Sequence, residues 1–122
     1  MEVKITKSKQ QNKKFAVKVD GHTINFGAEG YEDFTTHKDE SRKDRYTARH
    51  KPTEDWSKKG IETPGFWAKH ILWNKPSMSA SIADTEKKFG IKIKRVWKSW
   101  IIKFLFLPLL AFLKWNKDAL SA

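Results

Sequence analysis

Residues 15–26 read Phe-Ala-Val-Lys-Val-Asp-Gly-His-Thr-Ile-Asn-Phe, and this stretch decides the fold. Phe15, Val17 and Val19 alternate with polar neighbours, and Ile24 and Phe26 do so again after Asp20-Gly21. Period-two alternation is the mark of a half-buried strand. Asp-Gly is a preferred two-residue type I′ loop, since both central positions need φ > 0. Closing the chain there pairs Val19 with His22, Val17 with Ile24 and Phe15 with Phe26. The last two pairs put four apolar side chains on one face, so alternation and turn chemistry predict the same hairpin.

Working outward, Val3 and Ile5 alternate over a short strand at most. Residues 1–14, with Ser8–Lys14 lacking any apolar side chain, read as a basic arm. Gly27 and Gly30 mark a turn, and Tyr31 and Phe34 are available to cover the hairpin. Thr36-x-x-Asp39 resembles a capping box, opening a mostly charged helix to about His50, with Pro52 beyond it. Residues 51–60 are polar except Trp56, a single indole in a loop. Thr63-Pro64 supplies an N-cap and a proline at the first helical position. The run Phe66–Trp73 is apolar almost all round and has to be buried on most sides. Ser79 or Ser81 can cap a third helix running to Phe89, with Gly90 after it. Ile91 and Ile93 alternate with lysines, as in a strand returning to the hairpin. The expected architecture is α+β. Residues 1–93 form one small domain with a hairpin or sheet and two to three short helices, and residues 94–122 form a hydrophobic helical tail.

That tail contains VWKSWIIKFLFLPLLAFLKW at 96–115. As a helix its twenty residues reach about 30 Å, the hydrocarbon thickness of a bilayer. Trp97 and Trp100 near one end and Trp115 at the other are spaced like interfacial anchors. Phe104 begins ten uncharged residues. Lys103 near a bilayer centre would cost roughly 2.5–3.5 kcal/mol, but it lies off-centre and can snorkel. Pro108 removes one backbone hydrogen bond, which membrane helices tolerate. Trp97, Trp100, Lys103, Phe104, Pro108 and Trp115 are therefore the candidate anchor. Spanning, lying in the interface and packing on protein all remain open, the last two hindered by lysines that leave no clean polar stripe. Four basic residues precede the apolar stretch (Lys94, Arg95, Lys98, Lys103) and two follow it (Lys114, Lys117), which favours a cytosolic domain.

The chain of 122 residues carries a formal charge of +11 with a pI near 9.9. The excess is uneven: residues 1–19 hold six lysines against Glu2, and residues 94–122 hold six basic groups against Asp118. Residues 20–60 balance eight basic groups against nine acidic ones. Such ends attract anionic partners, whether lipid, nucleic acid or an acidic protein surface. The absence of cysteine excludes disulfide and thiolate chemistry. His22, His37, His50 and His70 show no metal-helix spacing, the glycines form no phosphate loop, and no nucleophile motif occurs. Neither an enzyme nor a cofactor nor a small-molecule substrate is expected. Of the six tryptophans, Trp56, Trp67 and Trp73 are the candidate contacts to a protein partner, with Trp67 and Trp73 also expected in the core.

The segments INFGAEGYEDFTTHKDESRKDRYTARH (24–50) and GIETPGFWAKHILWNKPSMSASIADTEKKFGIKI (60–93) carry a resemblance. Their specific parts are F-G-A-x-G-Y-x-D-[FY]-T, the H-K-D and R-x-x-R-Y-x-A-R-H run, and G-F-W…L-W-N-K-P. The chain resembles small, uncharacterised proteins of large icosahedral double-stranded DNA viruses of algae and amoebae (phycodnavirus- and mimivirus-like). The resemblance covers most of residues 15–93 and leaves out the tail. It implies a viral setting and no established activity. Such particles have a capsid shell over an internal membrane, so a basic domain with a membrane tail is expected as a minor capsid protein. Its partners would be capsid proteins and the lipid membrane, in the virion beneath the shell, after assembly in the host cytoplasm. A DNA-binding virion protein and a membrane accessory protein outside the shell are the alternatives.

Overall fold

The computed structural model describes residues 1–96. Four strands form one sheet: β1 (Glu2–Lys7), β2 (Lys13–Val19), β3 (His22–Ala28) and β4 (Lys92–Arg95). Their order is β3-β2-β1-β4, with β1 parallel to β4 and the other pairs antiparallel. The hairpin has the expected register, Val19 opposite His22, Val17 opposite Ile24 and Phe15 opposite Phe26. Its turn carries Asp20 at φ +47 and Gly21 at φ +80, both positive as a type I′ loop requires.

Helices cover one face of the sheet. They are α1 (Phe34–His37), α2 (Glu40–His50), α3 (Pro64–Trp67) and α4 (Met78–Phe89). A 3₁₀ turn spans Lys58–Gly60, and α3 runs on as a π-helical segment, Ala68–Leu72. The sheet's inner face supplies Val3, Ile5, Val17, Val19, Ile24, Phe26 and Ile93 to the core. The helical layer meets it with Phe66, Trp67, Ile71, Leu72 and Ile82. Phe66, Trp67 and Ile71 are completely enclosed, as an all-round apolar run demands.

The widened π turn has an identifiable hydrogen-bond pattern. The Trp73 N–H reaches the Ala68 carbonyl five residues back, at 3.1 Å. The His70 carbonyl accepts from the Thr85 hydroxyl and the Asn74 amide, each at 3.1 Å. Both donors thus stitch the segment to α4 and to the turn after it.

Several expectations need correcting. Residues 1–14 are not an arm: β1 pairs with β2, and the short loop after it is closed by Ser8 N–H to the Lys14 carbonyl at 3.2 Å. Two apolar residues suffice there, because Val3 and Ile5 both face the core while their lysine neighbours stay in water. The charged helix is really two. Asp33 caps α1, accepting from Thr35 N–H, while the Thr36 hydroxyl accepts from Asp33 N–H, each at 3.0 Å. The chain then breaks at Lys38 (φ +56), and Asp39 caps α2 through the N–H groups of Ser41 and Arg42. Thr36 therefore answers the cap upstream of it. Ser77, not Ser79 or Ser81, caps α4, accepting from Ala80 N–H at 3.1 Å. Ser81 is fully buried instead, its hydroxyl accepting from Lys75 N–H. Tyr31 stays exposed, and Phe34 alone covers the core. The strand at Ile93 does return to the sheet, but beside β1 at the edge.

Candidate functional site: a lysine-bearing sheet face and an aromatic cleft

In β1 the residues alternating with Val3 and Ile5 are Glu2, Lys4 and Thr6, and the same logic exposes Lys18 on β2 and Lys92 and Lys94 on β4. These side chains form the sheet's other face, which no described helix covers. Register aligns Lys4 with Lys18 on one side and with Lys94 on the other. Three lysines thus stand in one row across three adjacent strands. Like charges directly opposite one another destabilise a sheet, so the row is an electrostatic cost to the isolated fold. Glu2 relieves one member only, lying 3.3 Å from the Lys94 ammonium.

Beside this row lies a trough of about 450 Å³, lined by Lys4, Lys7, Lys9 and Lys18 together with hydroxyl and amide groups. Among the described residues no acidic and no aromatic side chain lines it. The short loop after β1 forms its wall, held over the sheet by Ser8 Oγ donating to Asn25 Oδ1 at 2.6 Å. A trough whose walls are largely lysine methylenes and whose rim carries ammonium, hydroxyl and amide groups can hold an anion by charge and hydrogen bonding. It offers no surface for stacking bases.

The second feature, a cleft of about 350 Å³, opens on the helical side where β3 ends. Tyr46 forms its back wall, stacked between Trp73 (centroids 4.3 Å apart, planes 4° apart) and His50 (4.2 Å, 25°). The His50 imidazole Nδ1 is 2.9 Å from Glu54 Oε1, and the Trp56 indole donates to Glu54 Oε2 at 2.8 Å. Burial, helped by the nearby Glu54 charge, pushes the Tyr46 hydroxyl far above its ordinary value. It stays protonated and is no base at neutral pH. On the opposite wall Lys14 pairs with Asp33 at 2.8 Å. Gly27 (φ +82) narrows the floor, where a Cβ would come within 2.8 Å of Leu72 Cδ1. All three cleft carboxylates are engaged, Asp33 with Lys14, Glu54 with His50 and the Trp56 indole, and Glu32 with Arg42 at 3.6 Å. Among the described residues no group of three His, Asp or Glu side chains could hold a metal ion.

The candidate contact tryptophans take three different positions. Trp67 is enclosed at 0% exposure and donates to the Ile61 carbonyl at 2.6 Å. Trp73 is half-buried in the Tyr46 stack, and Trp56 is half-buried with the Lys69 ammonium 5.2 Å above its ring. Of the three, Trp56 and Trp73 keep surface that another protein could touch. The candidate anchor residues Trp97, Trp100, Lys103, Phe104, Pro108 and Trp115 lie outside the described residues. Sequence reasoning missed the lysine row, although the alternation of Lys4 with Val3 and Ile5 carried it. It also missed the aromatic stack, for which the four-residue spacing of Tyr46 and His50 was the available signal.

Residues 3–50 match the model of a family of unknown function, DUF5754. The match runs from β1 through α2 and covers less than half of the chain. No curated protein and no solved structure matches the sequence.

Proposed function

We propose that this chain is a structural adaptor without catalytic activity, whose domain, closed by β4 at Arg95, docks on protein and whose residues 96–122 enter a bilayer. In the viral setting implied by the resemblance it is a minor capsid protein, linking the shell to an internal membrane. The supporting observation is the way the chain leaves the domain. Its last strand, β4, lies at the sheet edge, and Val96 just beyond is 41% exposed. The apolar sequence 96–115 therefore begins at the surface, where it can run into lipid without disturbing the core. Among the described residues no helix is long and apolar enough to cross a membrane, so a membrane role falls to the segment beyond them. Lys7, Lys13 and Arg95 sit at the sheet end from which the chain departs, a basic flank suited to the cytosolic side. Half-buried Trp56 and Trp73 are the protein-docking contacts.

Fractionation of purified particles tests this reading. The adaptor stays with the particle through high salt and leaves when detergent dissolves the internal membrane. Appearance with the DNA core after detergent treatment contradicts it. The lysine face favours a second reading, a sequence-independent DNA binder. That reading requires affinity that falls with salt on a steep log–log slope.

A further inference from the structure

We propose that the trough on the open sheet face binds the phosphate-bearing headgroups of anionic lipids, turning the sheet against the membrane surface. This rests on the reading that the tail enters a bilayer. Two observations select the ligand. The first is charge: among the described residues four lysines and no carboxylate line the trough. The second is where the chain goes next. Arg95 pairs in register with Ile5, and Lys7 follows two residues on, at one end of the trough. At ~3.3 Å per residue and ~4.8 Å between strands, Lys7 is about 8 Å from Arg95, the residue that precedes the apolar sequence. That is about one Debye length at physiological salt, so headgroups around the tail still act on the trough, with roughly a third of their unscreened attraction. A nucleic acid has no such tether, and among the described residues the trough has no aromatic ring for bases. Occupation by headgroups also relieves the repulsion of the Lys18–Lys4–Lys94 row.

The test is lysine acylation footprinting, read by mass spectrometry, on the full chain reconstituted into vesicles. One set is neutral phosphatidylcholine; the other contains a fifth of phosphatidylserine. Lys4, Lys9 and Lys18 are expected to react about fivefold more slowly in the anionic set, the scale of one lysine's attraction to such a surface. Exposed Lys51 and Lys87 of the helical layer are expected to react equally in both, and high salt should abolish the difference. The triple variant K4Q/K9Q/K18Q should lose the protection at Lys7 that the parent chain shows. Equal reaction rates in the two vesicle types overturn the proposal. So does protection by duplex DNA or inorganic phosphate, with neutral vesicles, as strong as that from anionic lipid. Alkaline extraction of the neutral vesicles reads the tail separately: release there sinks the bilayer reading itself, whatever the footprint.

Discussion

Replacing Trp67 and Trp73 by alanine should have unequal consequences, although both sit in the same eight-residue apolar run. Trp67 has no exposed surface and packs edge-on against Phe66, with ring centroids 5.1 Å apart. Truncating a fully buried aromatic to alanine costs about 3–5 kcal/mol. Its indole also donates to the Ile61 carbonyl at 2.6 Å, a buried residue left with an unsatisfied acceptor, for about 1–3 kcal/mol more. A small domain is stable by about 5–15 kcal/mol, so Trp67→Ala removes a third of that or more. Trp73 is half-buried, and its main loss is the parallel stack on Tyr46. That pair contributes about 0.5–1.5 kcal/mol beyond burial, and Trp73→Ala should cost about 1–2.5 kcal/mol in all. Trp67→Phe keeps one aromatic ring while losing the N–H and part of the indole's volume, and should fall between the parent chain and Trp67→Ala. The assay is urea unfolding of the full chain in mild detergent, followed by tryptophan fluorescence. Equal midpoints for the two alanine variants, or a Trp67→Ala cost below about 1.5 kcal/mol, would refute the assignment of Trp67 as the central core residue.

Three further outcomes follow from the geometry. Gly27→Ala should cost more than Gly21→Ala in the same assay: both glycines have φ near +80, but only at Gly27 does a Cβ meet a neighbour, Leu72, at 2.8 Å. Backbone strain alone is worth about 1–2 kcal/mol, so a Gly21→Ala cost equal to that of Gly27→Ala would contradict the close approach. Asp33→Ala should lose about 2 kcal/mol, since it removes the α1 cap and strands Lys14; a Lys14→Ala/Asp33→Ala double variant less destabilised than the sum would show the pairing. His70 is held neutral by burial, which outweighs the opposing hydrogen bond from its Nε2 to the Trp56 carbonyl at 2.8 Å, so its folded pKa lies below the ordinary 6.5. The unfolded chain then binds the extra proton first, and the His70 contribution is complete above about pH 6.5 and lost as pH falls below it. His70→Gln should flatten that part of the stability–pH curve, and an unchanged slope would contradict the assignment.

The hairpin was legible because two independent signals, alternation and a two-residue turn, demand the same register. The Thr63-Pro64 start and the Phe66–Trp73 run were legible because a helix apolar on every side has no alternative to burial. The boundary at Lys38 was not, since α1 and α2 together present only Phe34 and Tyr46 to the core. With so little apolar periodicity, Thr36-x-x-Asp39 fitted one helix as well as two. The short β1 and β4 gain their stability from pairing across 90 residues of chain, which no local pattern reports. The aromatic cleft was invisible for the same reason: Tyr46, His50 and Trp73 meet only after α2 folds beside the π segment.

The central claim is that residues 96–122, beyond β4, hold this domain to a bilayer. Expressed as the full chain in cells, the protein should sediment with membranes, withstand 1 M salt and alkaline carbonate, and move to the supernatant only in detergent. Release by salt alone would reduce the adaptor to an electrostatically bound protein and contradict the account.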